Sequence, residues 1–411
     1  MIDFSVATLS NGLRVACHHT PGAAMASVCM MYGVGSRNEQ SDKTGLAHLL
    51  EHLMFGGSAN VDDYDYHMDM AGGVNNAWTS CDFTCYYSTV PLCNLSTALW
   101  LESDRMLRPA FRQEVFDVQQ RVVIEEFKQN YINQPYGMAG HLLREMLYDV
   151  HPYRWPTIGL NPEQIEHFKL SDAEEFFCRF YGPENAVVSI ASALPDDQVV
   201  EMVEHWFGDI PRRNVVIPSI PSEPQHTAPR RLEERGYADT AMITLGYPMA
   251  AAGTEGYEAA DIITDILSAG TSARFRRGML KQYDIFADAD ASISGSEDPG
   301  FMIIDARLRD SALSTAREAE KILRGQLEDV AAHGVSADEL TRAVNKFETN
   351  LTLSWVNSPA RARAIAKSVL TGRNPNDIMA RYRSLTPDDI RTAAQKIFLP
   401  EQSATLIYLP K

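Results

Sequence analysis

Two distant stretches of this chain are built the same way. Residues Ser171–Ala191 read SDAEEFFCRFYGPENAVVSIA, and Thr386–Tyr408 read TPDDIRTAAQKIFLPEQSATLIY. Each opens with a hydroxyl residue followed three positions later by an acid, a helix N-terminus signature. Each then runs as an amphipathic helix, reaches a proline turn and ends in a β-rich strand. An earlier pair matches too. Ala26–Ser36 (ASVCMMYGVGS) leads into the helix GLAHLLEHL, and Ala241–Met249 (AMITLGYPM) leads into Tyr257–Ser268 (YEAADIITDILS). A chain that repeats strand, loop and helix in this order is expected to fold as two copies of one unit. At 411 residues it is also too long for one ordinary core. The fold class is therefore α+β: two homologous α/β-sandwich-like domains, each an antiparallel-rich sheet packed with helices. The stretch Ile210–Arg231 holds five prolines and little periodicity. It sets domains at 1–212 and 232–411, joined by a linker at 213–231.

The two copies differ where it matters chemically. GLAHLLEHLMFGG, from Gly45 to Gly57, carries His48, Glu51 and His52 in an otherwise apolar helix, and the second copy has no such histidines. On a helix, positions four apart stack on one face about 6 Å from each other. Two imidazoles at that spacing can point one ring nitrogen each at a single ion, and such pairs suit zinc. Glu51, three residues after His48, projects beside that ion. Zinc brings the pKa of water towards about 7, where a neighbouring carboxylate is a competent base. The helix ends at Gly56-Gly57. Taken alone, the motif also fits two satisfied core histidines.

A catalytic zinc takes three protein ligands and keeps one position open. Phe116–Asn130 (FDVQQRVVIEEFKQN) has a strong helical pattern, with Glu125 and Glu126 after the apolar run Val122, Val123, Ile124. One of the two can face an ion while the other meets water. Periodicity does not choose between them.

Composition narrows the partners. Lys and Arg number 37 against 54 Asp and Glu, a net charge of −17. That excludes a nucleic-acid binder, which needs a basic surface. The N-terminus has no basic start followed by an apolar run. The longest apolar stretch, Ala23–Val34, is far short of the ~20 residues that span a bilayer. No membrane partner is expected, and the location expected is the cytoplasm. The six cysteines form no CxxC pair. Cys81 and Cys85 share one face of a strand as core residues, and the thiols are expected to be reduced.

Several blocks, in order, resemble the insulinase, pitrilysin and mitochondrial processing peptidase family of inverted-motif zinc peptidases. They are NGLRV (Asn11–Val15), VGSRNEQSDKTGLAHLLEHLMFGGS (Val34–Ser58), GGVNNAWTSCDFTCYY (Gly72–Tyr87) and VVIEEF (Val122–Phe127). They span most of the first half, and the second half is matched more weakly. The resemblance implies one zinc per chain on His48, His52 and Glu126, with Glu51 as general base. It favours Glu126 over Glu125 as the last acid of its block. It makes Asn76–Ser80 a sheet edge beside the metal, to which an extended peptide adds through main-chain hydrogen bonds at Asn76, Ala77 and Trp78. An ordinary core strand fits the same residues. It also implies a half-clamshell subunit that pairs, as a homodimer or with a paralogue, around a chamber for peptide substrates.

The chain departs from the family in two places. A glutamate usual seven residues before the third ligand is Gln119 here, still two turns away on the metal side and able to orient a ligand without charge. In the second half, an arginine and a tyrosine seven apart grip the substrate carbonyl in active members. The register of TSARFRRGMLKQYDIFADADA puts Leu280 and Ala287 at those places, with Arg276, Arg277 and Tyr283 near but off register. Two expectations follow: a zinc metallopeptidase, complete or completed by a partner, or a non-catalytic peptide-binding scaffold.

Overall fold

Alternating and continuous apolar runs become eleven strands in two sheets. The computed structural model describes all 411 residues. The first sheet takes β1 (Ser5–Thr8), β2 (Arg14–His19), β3 (Met25–Tyr32), β4 (Val74–Thr79), β5 (Thr84–Pro91) and β6 (Ala186–Ser192) in the order β1-β2-β6-β3-β5-β4. The second takes β7 (Arg230–Gly236), β8 (Met242–Pro248), β9 (Phe286–Ser294), β10 (Phe301–Leu308) and β11 (Ala404–Pro410) in the order β7-β11-β8-β10-β9. The last five positions of the first order and the whole of the second are the same pattern. In both, only one pair is parallel, β2 with β6 and β7 with β11, and every other pair is antiparallel. The duplication read from the sequence is thus a shared topology. β3 and β6 are buried along nearly their whole length, which is why they read as unbroken apolar runs.

The helices repeat as well. The motif helix α1 (Leu46–Leu53) follows a left-handed Gly45 at φ 96°, and Tyr257–Ser268 follows a left-handed Gly256 at φ 91°. A side chain at either place would be strained, so both copies use glycine to turn into the helix. The two later helices cap differently. Thr386 caps Pro387–Ile397 as expected, its hydroxyl accepting the Asp389 N–H. In the first copy the helix begins at Leu170, and Asp172 accepts the Lys169 N–H, so Ser171 lies inside the first turn rather than at the cap.

The chain divides into two compact units. The first comprises 1–125, 156–220 and 351–377, and the second 126–155, 221–350 and 378–411. The expected linker 213–231 takes in Arg230 and Arg231, the first two residues of β7, and the units also take segments across the division at 212 and 232. In the first unit, helix Ser358–Thr371 lies on β3 and β6, with Ala362, Ile365 and Ala366 buried among Cys29, Met31 and Val187. In the second, helix Ala139–Leu147 lies on β8 and β11, where a Cβ on Gly246 would meet Leu143 at 2.8 Å. The second core gathers Ile243, Leu245, Ile263, Ile266, Leu323 and Ile407. The stretch 211–227 forms no helix or strand. No helix is long and apolar enough to cross a membrane. All six cysteines are free, and Cys81 sits in the turn between β4 and β5 rather than on the strand with Cys85.

Candidate metal centre

α1 presents its polar residues from an otherwise buried helix. Leu46, Leu49, Leu50 and Leu53 go into the core, while His48 and His52 are half-buried. Glu39 fixes the start of the helix: its carboxylate accepts the Gly45 N–H at 3.1 Å and the Ala47 N–H at 2.8 Å. Those N–H groups would otherwise be unsatisfied at a helix start, and the anion also suits the positive end of the helix dipole. The two histidine rings lie 4.8 Å apart between centroids, with planes at 85°. Burial first, and His52 second, push the His48 pKa down to about 4. The ring is therefore neutral near pH 7 and carries a lone pair for a cation.

The second helix, α2 (Gln113–Phe127), supplies the carboxylate. It is one continuous helix, and the division between the units falls in its last turn, between Glu125 and Glu126. Glu125 is exposed. Glu126 is half-buried, and its carboxylate oxygen and one nitrogen each of His48 and His52 all lie within 4.8 Å of one another. A two-histidine, one-glutamate set is the donor set of a catalytic zinc, with a coordination position to spare, so these residues fit the ion. One turn and more back on α2, Gln119 Oε1 lies 3.2 Å from His52 Nδ1. With the proton on Nδ1 donated to that amide oxygen, the lone pair is on Nε2. A five-residue π-helical turn, Lys128–Ile132, follows directly after the ligand-bearing end of α2, and such turns recur at functional sites.

Glu51 is buried beside the histidines, 8% exposed. The Thr79 hydroxyl donates to its carboxylate. Thr79 is the last residue of β4, which ends the sheet and pairs only with β5. Ala77 and Thr79 share one face by the two-residue period, and Asn76 and Trp78 the other. Trp78 is half-buried against the core under the helix Ser358–Thr371, so it supports the strand. Asn76 is exposed, and its Oδ1 accepts the Ala77 N–H at 2.8 Å. The sequence did not single out Thr79 as a partner of Glu51, nor Glu39 as the cap of α1. The first is legible only once β4 lies beside α1, and the second had a signal, an acid shortly before a helix.

The second-half positions are also placed. Leu280 lies half-buried against the second core, Ala287 is exposed on β9, and Arg276, Arg277 and Tyr283 are exposed. None of these is a member of the His48, His52, Glu126 group.

The chain is similar to known proteins along most of its length. Residues 14–157 match the family model described as insulinase (peptidase family M16), and residues 167–347 match the one described as the peptidase M16 inactive domain. An uncharacterized zinc protease of Streptomyces coelicolor is 27% identical over 97% of this chain and 88% of its own. The zinc protease PqqE of Helicobacter pylori is 25% identical over 98% of this chain and 92% of its own. The crystal structure of a protease from Helicobacter pylori superposes with a TM-score of 0.92, at 25% identity, over 100% of both chains.

Proposed function

Because the chain belongs to the insulinase (M16) peptidase family, we propose that it hydrolyses peptides or unfolded polypeptide segments as a zinc-dependent metallopeptidase. The observation that carries this reading is the convergence of His48, His52 and Glu126 donor atoms with Glu51 on the same helix turn. His48, His52 and Glu126 would hold a zinc ion, which would supply Lewis acidity and lower the pKa of water there. Gln119 keeps the His52 ring in its orientation. Glu51 takes the proton of the attacking water and passes it to the leaving amine, and the Thr79 hydroxyl keeps that carboxylate in place meanwhile. The free edge of β4 at Asn76–Trp78 receives the substrate backbone as an added strand, which places a carbonyl next to the centre with little demand on side chains. For that the Asn76 side chain releases the Ala77 N–H.

Glu51→Gln keeps the shape and removes the base. The expected result is unchanged zinc content with peptide cleavage down about 10²–10⁴-fold. Full activity in this variant, measured with quenched peptides, would sink the mechanism.

A second reading has its own observation. Residues 167–347 match a model described as an inactive domain, and Leu280 and Ala287 offer no hydrogen-bond donor where active members carry an arginine and a tyrosine. In this reading the chain is the zinc-bearing subunit of a dimer whose paralogous partner supplies that pair. Zinc-restorable cleavage of a peptide library by the purified chain alone favours the complete enzyme, and bound zinc without cleavage favours the paired one.

A further inference from the structure

The stretch that reads as a plain linker contains a histidine that solvation does not explain. His226 is 7% exposed, and neither ring nitrogen makes a hydrogen bond. Leaving a buried polar group unpaired destabilises a fold unless something else binds it. One nitrogen of this ring and carboxylate oxygens of Asp149 and Glu223 all lie within 4.8 Å of one another. All three residues belong to the second unit.

We propose that Asp149, Glu223 and His226 form a second cation site, which takes a borderline divalent transition ion such as zinc. The carboxylates are already set from behind. Glu223 accepts the N–H groups of Asp149, Val150 and His151 at 2.7, 3.0 and 2.8 Å. Arg230 donates to both oxygens of Asp149, at 2.9 and 2.5 Å, and to the Met146 carbonyl at 2.9 Å. Hydrogen bonds to ligating carboxylates of this kind orient them for an ion. One imidazole with two carboxylates selects zinc, manganese or cobalt over calcium or magnesium, which prefer oxygen throughout. The Asp149 side chain is 50% exposed, which gives an ion a way in and leaves room for water ligands. The ion would tie residues 223–226 to the turn at 149–151.

Arg230 also sets the strength. Two carboxylates and one guanidinium leave a net charge of −1 around the ion. That guanidinium competes for the Asp149 oxygens, and the site offers one imidazole against two, so it binds zinc more weakly than the His48, His52, Glu126 set and a chelator removes its ion first.

The test is zinc counted per full-length chain after equilibration with zinc alone. The wild type is expected to hold two ions, and His52→Ala and His226→Ala one each. The His52→Ala chain isolates the second site, and there zinc is expected to raise the melting temperature with His226 intact. His226→Asn, a smaller polar change, guards against misfolding and is expected to lose the same ion. No zinc on His52→Ala together with no thermal shift would overturn the proposal, leaving a hydrogen-bonded network only. An unchanged count in both His226 variants would do so as well. The peptidase reading stands or falls separately, because Glu51→Gln alters cleavage and leaves these counts alone.

Discussion

Helix Leu46–Leu53 and helix Tyr257–Ser268 occupy the same place in two copies of one topology, and both start from a left-handed glycine. Counted from those glycines, His48, Glu51 and His52 correspond to Ala259, Ile262 and Ile263. The three apolar residues are buried in the second core, at 3%, 0% and 0% exposure. One copy uses this helix face to fill a core. The other leaves it half open and places ionisable groups on it. The backbone does not distinguish the two uses. What separates them is whether other elements bring partners: Glu126, Gln119 and Thr79 come to the first helix. The second keeps its polar contact elsewhere, at Asp261, which accepts from the Tyr382 hydroxyl at 2.6 Å.

The sharpest way to break the comparison is to make the first helix like the second. His52→Ile removes a ligand and puts the residue of the other copy in its place. Cleavage is expected to fall about 10³-fold or more, since the ion contributes several kcal/mol to the barrier. Metal analysis should show one ion fewer per chain while the chain stays folded. The converse test shows what the second helix does instead. Ile263→Ala is expected to cost about 2–5 kcal/mol in denaturant unfolding of the second unit, the range for emptying a buried aliphatic site. His52→Ala in the metal-free chain is expected to cost less, because that side chain is half-buried. Equal losses would mean that the two faces do the same structural work.

The smallest effect lies in pH. In the metal-free chain the His48 pKa is about 4, below the ordinary 6.5. The unfolded chain then binds one more proton between those values. Stability from this group is complete above about pH 6.5 and is lost as pH falls towards 4, by about 3 kcal/mol at most for a difference of 2.5 (6.5 − 4). Melting the chelated protein from pH 8 to pH 5 should show the decline, and His48→Leu should flatten it. The second copy carries no histidine at this position and contributes no such slope.

Much of the site was legible early because helical spacing is local. The four-residue interval of His48 and His52 fixes a shared face without any knowledge of the fold. Periodicity could not separate Glu125 from Glu126, since adjacent helix positions differ by only about 100° and both follow the same apolar run. The family resemblance favoured Glu126, and the packing of α2 turns that residue to the histidines and leaves its neighbour in solvent. The cap expected at Ser171 fell two residues away because Asp172 reaches back to Lys169.

The linear division of domains shows the same limit. Repeated strand-and-helix patterns showed two units in order along the chain. Nothing in the amphipathic pattern of Ser358–Thr371 or Ala139–Leu147 says which sheet each covers, because an apolar helix face fits any apolar sheet face of matching shape. Likewise His226 looks like one polar residue in a proline-rich stretch until Asp149 and Glu223 lie beside it.

By itself, then, the sequence determined the duplicated strand-and-helix order, the ion-facing pair on α1 and the asymmetry between the copies. These depend on periods of two and four residues and on residue type, which act over one or two turns. Tertiary structure alone decided which acid lies beside the two histidines, that Thr79 donates to Glu51, which helix covers which sheet and what lies around His226. Those are contacts between residues tens to hundreds of positions apart, and only the packed chain sets their distances.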